Sequence, residues 1–261
     1  MKVFDSHCHL DDRSYDRDRE KVLERAAGAG IAGIMIVGVD EDSSRKAVQL
    51  AQSVSACYAS VGVHPHDAKN CSENILSILK DLAAGPRVKA WGEAGLDFNR
   101  MYSPRRDQEK WFLRQLEMAL ELNLPLIFHE RDTNGRFFEI LSAHCRPGLK
   151  GVVHCFSGNR TELDQYLDFG LYIGITGILT IKTRGTELRG LVTRIPADRL
   201  LVETDAPYLT LAPEKNRHRR NEPTFVKSVL LKLAEVRAED PEELAATIWN
   251  NTCRLYGIAD T

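Results

Sequence analysis

Short apolar runs recur along the chain, each followed by a longer amphipathic stretch, from one end to the other. The runs are KVFDSH (2–7), AGIMIVGV (32–39), YASVGVH (58–64), VKAWGEAG (88–95), PLIFHE (125–130), GVVHCFSG (151–158), LYIGITG (171–177) and RLLVETDA (199–206). They have the length and β-branched content of strands. Between them, YDRDREKVLERAAGAG (15–30) sets Val22, Leu23 and Ala26 at helical spacing with charges on the other face. PRRDQEKWFLRQLEMALELN (104–123) and TELDQYLDFG (161–170) read the same way, and Gly170 suits a helix C-cap. Eight strand candidates, each followed by a helix or long loop, predict an α/β protein built as a (β/α)8 TIM barrel, which typically takes ~250 residues. A doubly wound open sheet is the rival, with about six strands its more usual complement. No linker, low-complexity tract or repeat marks a second domain, so residues 1–261 are read as one.

The charge balance narrows the class of partner. With 35 basic and 37 acidic side chains, the formal charge of -2 predicts no strong global attraction to nucleic acid or anionic lipid, and leaves room for a local basic patch. The six cysteines are scattered without a CxxC pair, which excludes a zinc ribbon or thioredoxin-like motif. With no signal peptide in view, reduced thiols and a cytoplasmic location are expected. The longest apolar runs, such as IAGIMIVGV, are strand-sized, so no membrane span is expected.

Strands of a parallel α/β protein are buried and apolar, so polar side chains at strand ends need a reason. In a barrel the C-terminal strand ends form the active-site face. His7 and His9 end the first candidate strand, His64 and His66 the third, Glu93 the fourth, His129 the fifth and His154 the sixth; Glu203 and Asp205 end the eighth. Only His144, near a predicted helix end, and His218, in a basic loop, fall elsewhere. Side chains two apart on a strand share a face, so His7 with His9, and Glu203 with Asp205, can each project together while Cys8 points away. Singly, each residue reads as a hydrogen-bonded core group or turn former. Their shared location points to a divalent-metal site of imidazole and carboxylate donors, without thiolate.

The motifs SHCHLD, GVHPH (62–66), GEAGLDF (92–98), PLIFHERD (125–132), HCFSG (154–158), IGITGILT (173–180), VETDAPYL (202–209) and RNEP (220–223) resemble, in order and over almost the whole chain, the TatD-family metal-dependent deoxyribonucleases. The resemblance implies an amidohydrolase-like (β/α)8 barrel with one or two divalent ions, Mg²⁺ or Mn²⁺ in function and Zn²⁺ also accommodated. It maps the metal ligands onto His7, His9, Glu93, His129, His154 and Asp205. Glu130 stands where Ser is common in the family and His218 where Gly is; both bear on substrate preference, and neither removes a ligand.

The mechanism expected on that basis has Glu93 bridging two ions, one held by His7 and His9 and the other by His129 and His154. Asp205 would be ligand and general base, with Glu203 a second acid/base or ligand candidate. His64, His66 and the arginines of KNRHRR (215–220), Arg217, Arg219 and Arg220, are candidate phosphate contacts; the plainer readings are a backbone-bonded turn around Pro65 and a solvated basic face. The expected substrate is DNA, single-stranded or at a 3′ end, cut 3′ to 5′, with no obligate protein partner. The rivals are a hydrolase of the same architecture acting on a small ester, amide or lactone, and a non-catalytic metal-binding protein.

Overall fold

The computed structural model describes residues 1–211, 214 and 220–259. Strands β1 (Val3–Cys8), β2 (Ile31–Val37), β3 (Cys57–Val61), β4 (Val88–Asp97), β5 (Leu126–Arg131), β6 (Gly151–Val153), β7 (Tyr172–Ile175) and β8 (Leu200–Val202) follow one another in a single sheet in chain order. The β1–β2, β3–β4, β4–β5, β5–β6 and β7–β8 pairs are parallel. Helices α1 (Arg19–Gly28), α2 (Glu41–Ser53), α3 (Glu73–Ala83), α4 (Arg105–Leu122), α5 (Arg136–His144), α6 (Arg160–Asp168) and α7 (Thr186–Leu191) fall between strands, and α8 (Val226–Arg237) and α9 (Pro241–Tyr256) follow the last one. This is the topology of a (β/α)8 barrel, as the periodicity predicts. Among the described residues no helix is long and apolar enough to cross a membrane.

The departures from the expected elements have local causes. The first helix starts late because Asp12 caps a 3₁₀ turn over Arg13–Tyr15, its carboxylate accepting from the Ser14 amide. Helix α4 stops at Asn123, whose φ of 52° is left-handed, and the segment after α6 turns at Gly170, φ 92°. Strands β6 and β8 end at Val153 and Val202, short of the expected 158 and 206. Cys155 and Asp205 have φ of 49° and 58°, which no pleated ladder accommodates. His154, Glu203 and Asp205 therefore stand on the turns just past their strands.

The chain divides into two compact units, one of residues Met1–Ile36, Cys155–Asn159 and Ile173–Thr261, the other of Val37–His154 and Arg160–Tyr172. In the first, β1 pairs with β2 on one edge. On its other edge it meets the chain that follows β8: the Asp205 amide donates to the His7 carbonyl (2.9 Å) and the His9 amide to the Ala206 carbonyl (2.7 Å). Helix α9 covers this strand, with Phe4 fully buried against Trp249 (5.8 Å between centroids) and Tyr256 (6.5 Å).

In the second unit Phe112 of α4, Phe128 of β5 and Phe137 of α5 form one aromatic cluster with centroids 5.3–6.1 Å apart. The buried face of α4 also carries two glutamines, Gln108 and Gln115, seven residues and thus about two turns apart. Gln115 accepts from the Val63 amide (2.7 Å) and the Trp91 indole (3.2 Å), and donates to the Val63 carbonyl (2.9 Å). Gln108 accepts from the Asp97 amide (2.8 Å) and donates to the Asp97 and Ser103 carbonyls (3.0 and 2.9 Å). Two side-chain amides thus clamp the backbone just before His64 and at the end of β4. Between the clamps, Gly92 has φ 136°, and a Cβ there would lie 2.4 Å from the Ile127 carbonyl oxygen. Gly92→Ala is expected to cost on the order of 3 kcal/mol through backbone strain and steric overlap, read as a lowered urea midpoint with unchanged m.

Candidate metal centre

In the second unit the Glu93 carboxylate is the hub. Its Oε1 lies 2.8 Å from His129 Nδ1, 3.1 Å from His154 Nε2 and 3.5 Å from His64 Nε2. Ligand atoms about 2.1 Å from a shared tetrahedral ion stand about 3.4 Å apart, so the separations of Glu93 from each imidazole suit a small divalent cation. Glu93 and His154 are buried, on β4 and on the turn after β6, and His129 is half-buried on β5.

Geometry separates the three imidazoles. His64 Nδ1 accepts from the His66 amide (3.0 Å), capping the 3₁₀ turn Pro65–Asn70. That bond leaves the neutral ring proton on Nε2, the atom that faces Glu93 and His129 Nδ1 (3.1 Å). His64, Glu93 and His129 do present ligand atoms within 4.8 Å of one another. A proton on Nε2 nevertheless makes His64 a donor toward the cluster rather than a ligand. The backbone-bonded turn around Pro65 and the inward-facing donor are thus both present, one on each nitrogen.

His129 uses its other nitrogen on Asp97, Nε2 to Oδ2 at 3.2 Å, which orients Nδ1 toward Glu93. Burial alone would lower its pKa; hydrogen bonds to Asp97 and Glu93 prevail and raise it. The space beside Nδ1 thus attracts a cation, and proton and metal compete for it. His66 also reaches Asp97 Oδ2, through Nε2 at 2.9 Å. Asp97 Oδ1 accepts from the Asn99 and Arg100 amides (2.9 and 2.7 Å). Burial would raise this carboxyl, but the His129, His66 and Arg100 donors outweigh it and hold Asp97 well below the carboxylate range. Alternation along β4 puts Glu93 and Asp97, four apart, on the same face. Applied to the fourth strand, that rule would have found Asp97, which sequence reasoning passed over.

In the first unit His7, His9 and Asp205 form a second group. His7 Nε2 and His9 Nε2 are 3.3 Å apart, and Asp205 Oδ1 lies 3.8 and 3.4 Å from them. These separations also suit three ligands of one ion. The i, i+2 reading holds for the histidine pair, on β1 and just past it. It does not carry over to the carboxylate pair, because the strand has already ended. Glu203 Oε2 accepts from the Ser6 hydroxyl (3.1 Å) and Oε1 from the Cys155 amide (2.6 Å), and a Cβ on Gly174 would fall 2.6 Å from Oε2. Glu203 is fully buried among these groups, whereas Asp205 turns to the histidines. Asp5, also missed, accepts from the Thr204 amide (2.9 Å) and hydroxyl (2.6 Å), and burial pushes its carboxyl up to about 8.

The predicted phosphate contacts divide. Arg217, Arg219 and His218 lie outside the described residues. Arg220 gives two nitrogens to Asp18 (2.9 and 2.7 Å), reaches Glu222 (3.3 Å) and stacks 4.3 Å over Tyr15. Its charge is met by these carboxylates rather than displayed. Glu130 accepts from the Thr133 hydroxyl (2.7 Å), and burial raises its pKa.

Residues 4–257 match the family model described as TatD related DNase. The 3′-5′ ssDNA/RNA exonuclease TatD of Pectobacterium atrosepticum is 44% identical over 261 residues, and that of Citrobacter koseri 42% over 260; each alignment covers 98% of this chain and 100% of the relative. The crystal structure of YjjV, a TatD homologue from Escherichia coli K12, superposes with a TM-score of 0.90 at 31% identity, covering 98% of both chains. Because Asp97 orients His129, Asp97→Asn is expected to weaken divalent-metal binding about 10–100-fold in titration calorimetry with Mn²⁺. Unchanged affinity would remove Asp97 from the site.

Proposed function

The chain belongs to the TatD-related DNase family, a family of phosphodiester hydrolases, and from that premise we propose that it is a divalent-metal-dependent 3′-to-5′ exonuclease acting on single-stranded DNA and RNA ends. The observation that carries the reading is the pair of donor groups: His7, His9 and Asp205, whose ligand atoms lie 3.3–3.8 Å apart, and Glu93, whose Oε1 lies 2.8 Å from His129 and 3.1 Å from His154. Together they are the six ligands the family resemblance implies. Mg²⁺ or Mn²⁺ would be the working ion and Zn²⁺ an acceptable one, since both groups offer nitrogen and oxygen without sulfur. The family match over residues 4–257 favours residues 1–261 as one catalytic domain. Cys8, Cys57, Cys71, Cys145, Cys155 and Cys253 form no disulfide among the described residues, which suits a reducing cytoplasm.

Divalent ions at these groups supply positive charge against the phosphate oxygens and acidify water for attack. Asp205 is the general base: its carboxylate, turned toward the histidine pair, takes the proton of the attacking water. His64, with its proton on Nε2, donates toward the non-bridging or leaving oxygen, and Asp97 keeps His66 and His129 from rotating. Glu203 holds the Cys155 amide and Ser6 in place rather than moving a proton. Arg217 and Arg219 of the basic run attract the phosphate backbone of the strand, whereas Arg220 is engaged by Asp18 and Glu222.

Chelation is expected to abolish release of nucleotides from 5′-labelled single-stranded DNA, with recovery on adding Mg²⁺ or Mn²⁺. Asp205→Asn should lower kcat about 10²–10⁴-fold. Full activity in either the stripped protein or the variant would end the mechanism. Arg217→Gln with Arg219→Gln should raise KM and flatten its dependence on salt, leaving kcat largely in place.

A further inference from the structure

Most large apolar and aromatic side chains of the described residues are buried, and only two aromatic rings are strongly exposed. They are Tyr102 and Tyr208, each 56% exposed. Both rings lie edge-on to a candidate-site histidine. Tyr102 is 4.7 Å from His66 with planes at 65°, and Tyr208 is 5.7 Å from His9 at 64°. Their backbones are pinned. Tyr102 sits between Arg100, whose amide bonds to Asp97, and Ser103, whose hydroxyl donates to the His66 carbonyl (2.7 Å) and whose carbonyl accepts from Gln108. The Tyr208 amide donates to the Asp205 carbonyl (2.9 Å) and its carbonyl accepts from Asn221 (2.6 Å).

An aromatic ring left in water on a fixed backbone forgoes the burial that would stabilise it. It is also preorganised to receive another flat apolar surface. We propose that Tyr102 and Tyr208 are base-stacking residues, each taking an unpaired nucleobase of the substrate beside the donor group it borders. The inference rests on the nuclease reading and deepens it. Charge alone treats every polyphosphate alike, whereas stacking needs a base, and an unpaired base has its faces available. Single-strand preference then arises from the rings, and hydrolytic chemistry from the donor groups.

The test is equilibrium binding by fluorescence anisotropy in chelating buffer, where no cleavage occurs. Two labelled oligonucleotides are compared, one intact and one with abasic residues over its 3′-terminal nucleotides. Wild-type protein should bind the intact strand more tightly. Tyr102→Ala and Tyr208→Ala should each cut that preference about fivefold or more, and Tyr102→Phe and Tyr208→Phe should restore it. Alanine variants that weaken both strands equally, or neither, overturn the stacking role. A wild-type protein that cleaves DNA when metal is added yet binds both strands alike defeats stacking and leaves the nuclease reading standing. One that neither binds nor cleaves defeats both.

Discussion

A buried carboxylate is tolerable only when its lone pairs are met, and Asp97 meets all of its own. The two oxygens accept four hydrogen bonds, from the His66 and His129 rings and from the Asn99 and Arg100 amides. Because the acceptors are fully used, any donor that turned away would leave one lone pair of a buried anion unmet. One side chain thereby sets the faces of two imidazoles and the path of the loop that carries Tyr102. Helix α4 secures the anion's own backbone through Gln108, so the orientation of His129 is traceable to a helix surface.

The first unit solves the same problem by different means. Asp205 cannot be placed by a strand, since its φ is left-handed, and its neighbours hold it instead. Asp5 binds Thr204 by two bonds, the Thr204 hydroxyl accepts from the Ala206 amide (3.1 Å), and Asn221 donates to the Thr204 and Tyr208 carbonyls (2.9 and 2.6 Å). Tyr15 closes the arrangement by donating to the Asn221 carbonyl at 2.6 Å. The RNEP segment is thus largely a brace: Arg220 to Asp18, Asn221 to the turn, and Glu222 to Arg25 through two 2.9 Å bonds. Arg220, a candidate phosphate contact in the sequence, does mechanical service in the fold.

The alternation of apolar runs and amphipathic stretches made the (β/α)8 topology legible, because each strand must be buried and each helix two-faced. Nine candidates, His7, His9, His64, His66, Glu93, His129, His154, Glu203 and Asp205, were legible because a polar group at a buried strand end is costly unless it binds something there, and the family resemblance singled out six of them as ligands. What periodicity could not convey was direction past the last residue of a strand. Glu203 and Asp205 obey the i, i+2 rule only on a continuing strand, and β8 stops at Val202. Hydrogen-bonded supports such as Gln108, Gln115 and Asn221 were equally opaque. Their types are ordinary on a surface, and only tertiary contact reveals that they are buried and saturated.

The two donor groups differ in how they are distributed along the chain. Glu93, His129 and His154 all occur within the first 154 residues, whereas His7 and His9 find their carboxylate only at Asp205. A polypeptide emerging from the ribosome therefore holds all three members of one group well before the other can exist. The early histidine pair must wait, unpartnered by Asp205, for most of the remaining chain to be made. Assembly of the complete set of ligand candidates is thus a late event in biosynthesis, tied to synthesis of the segment that seals the edge of β1.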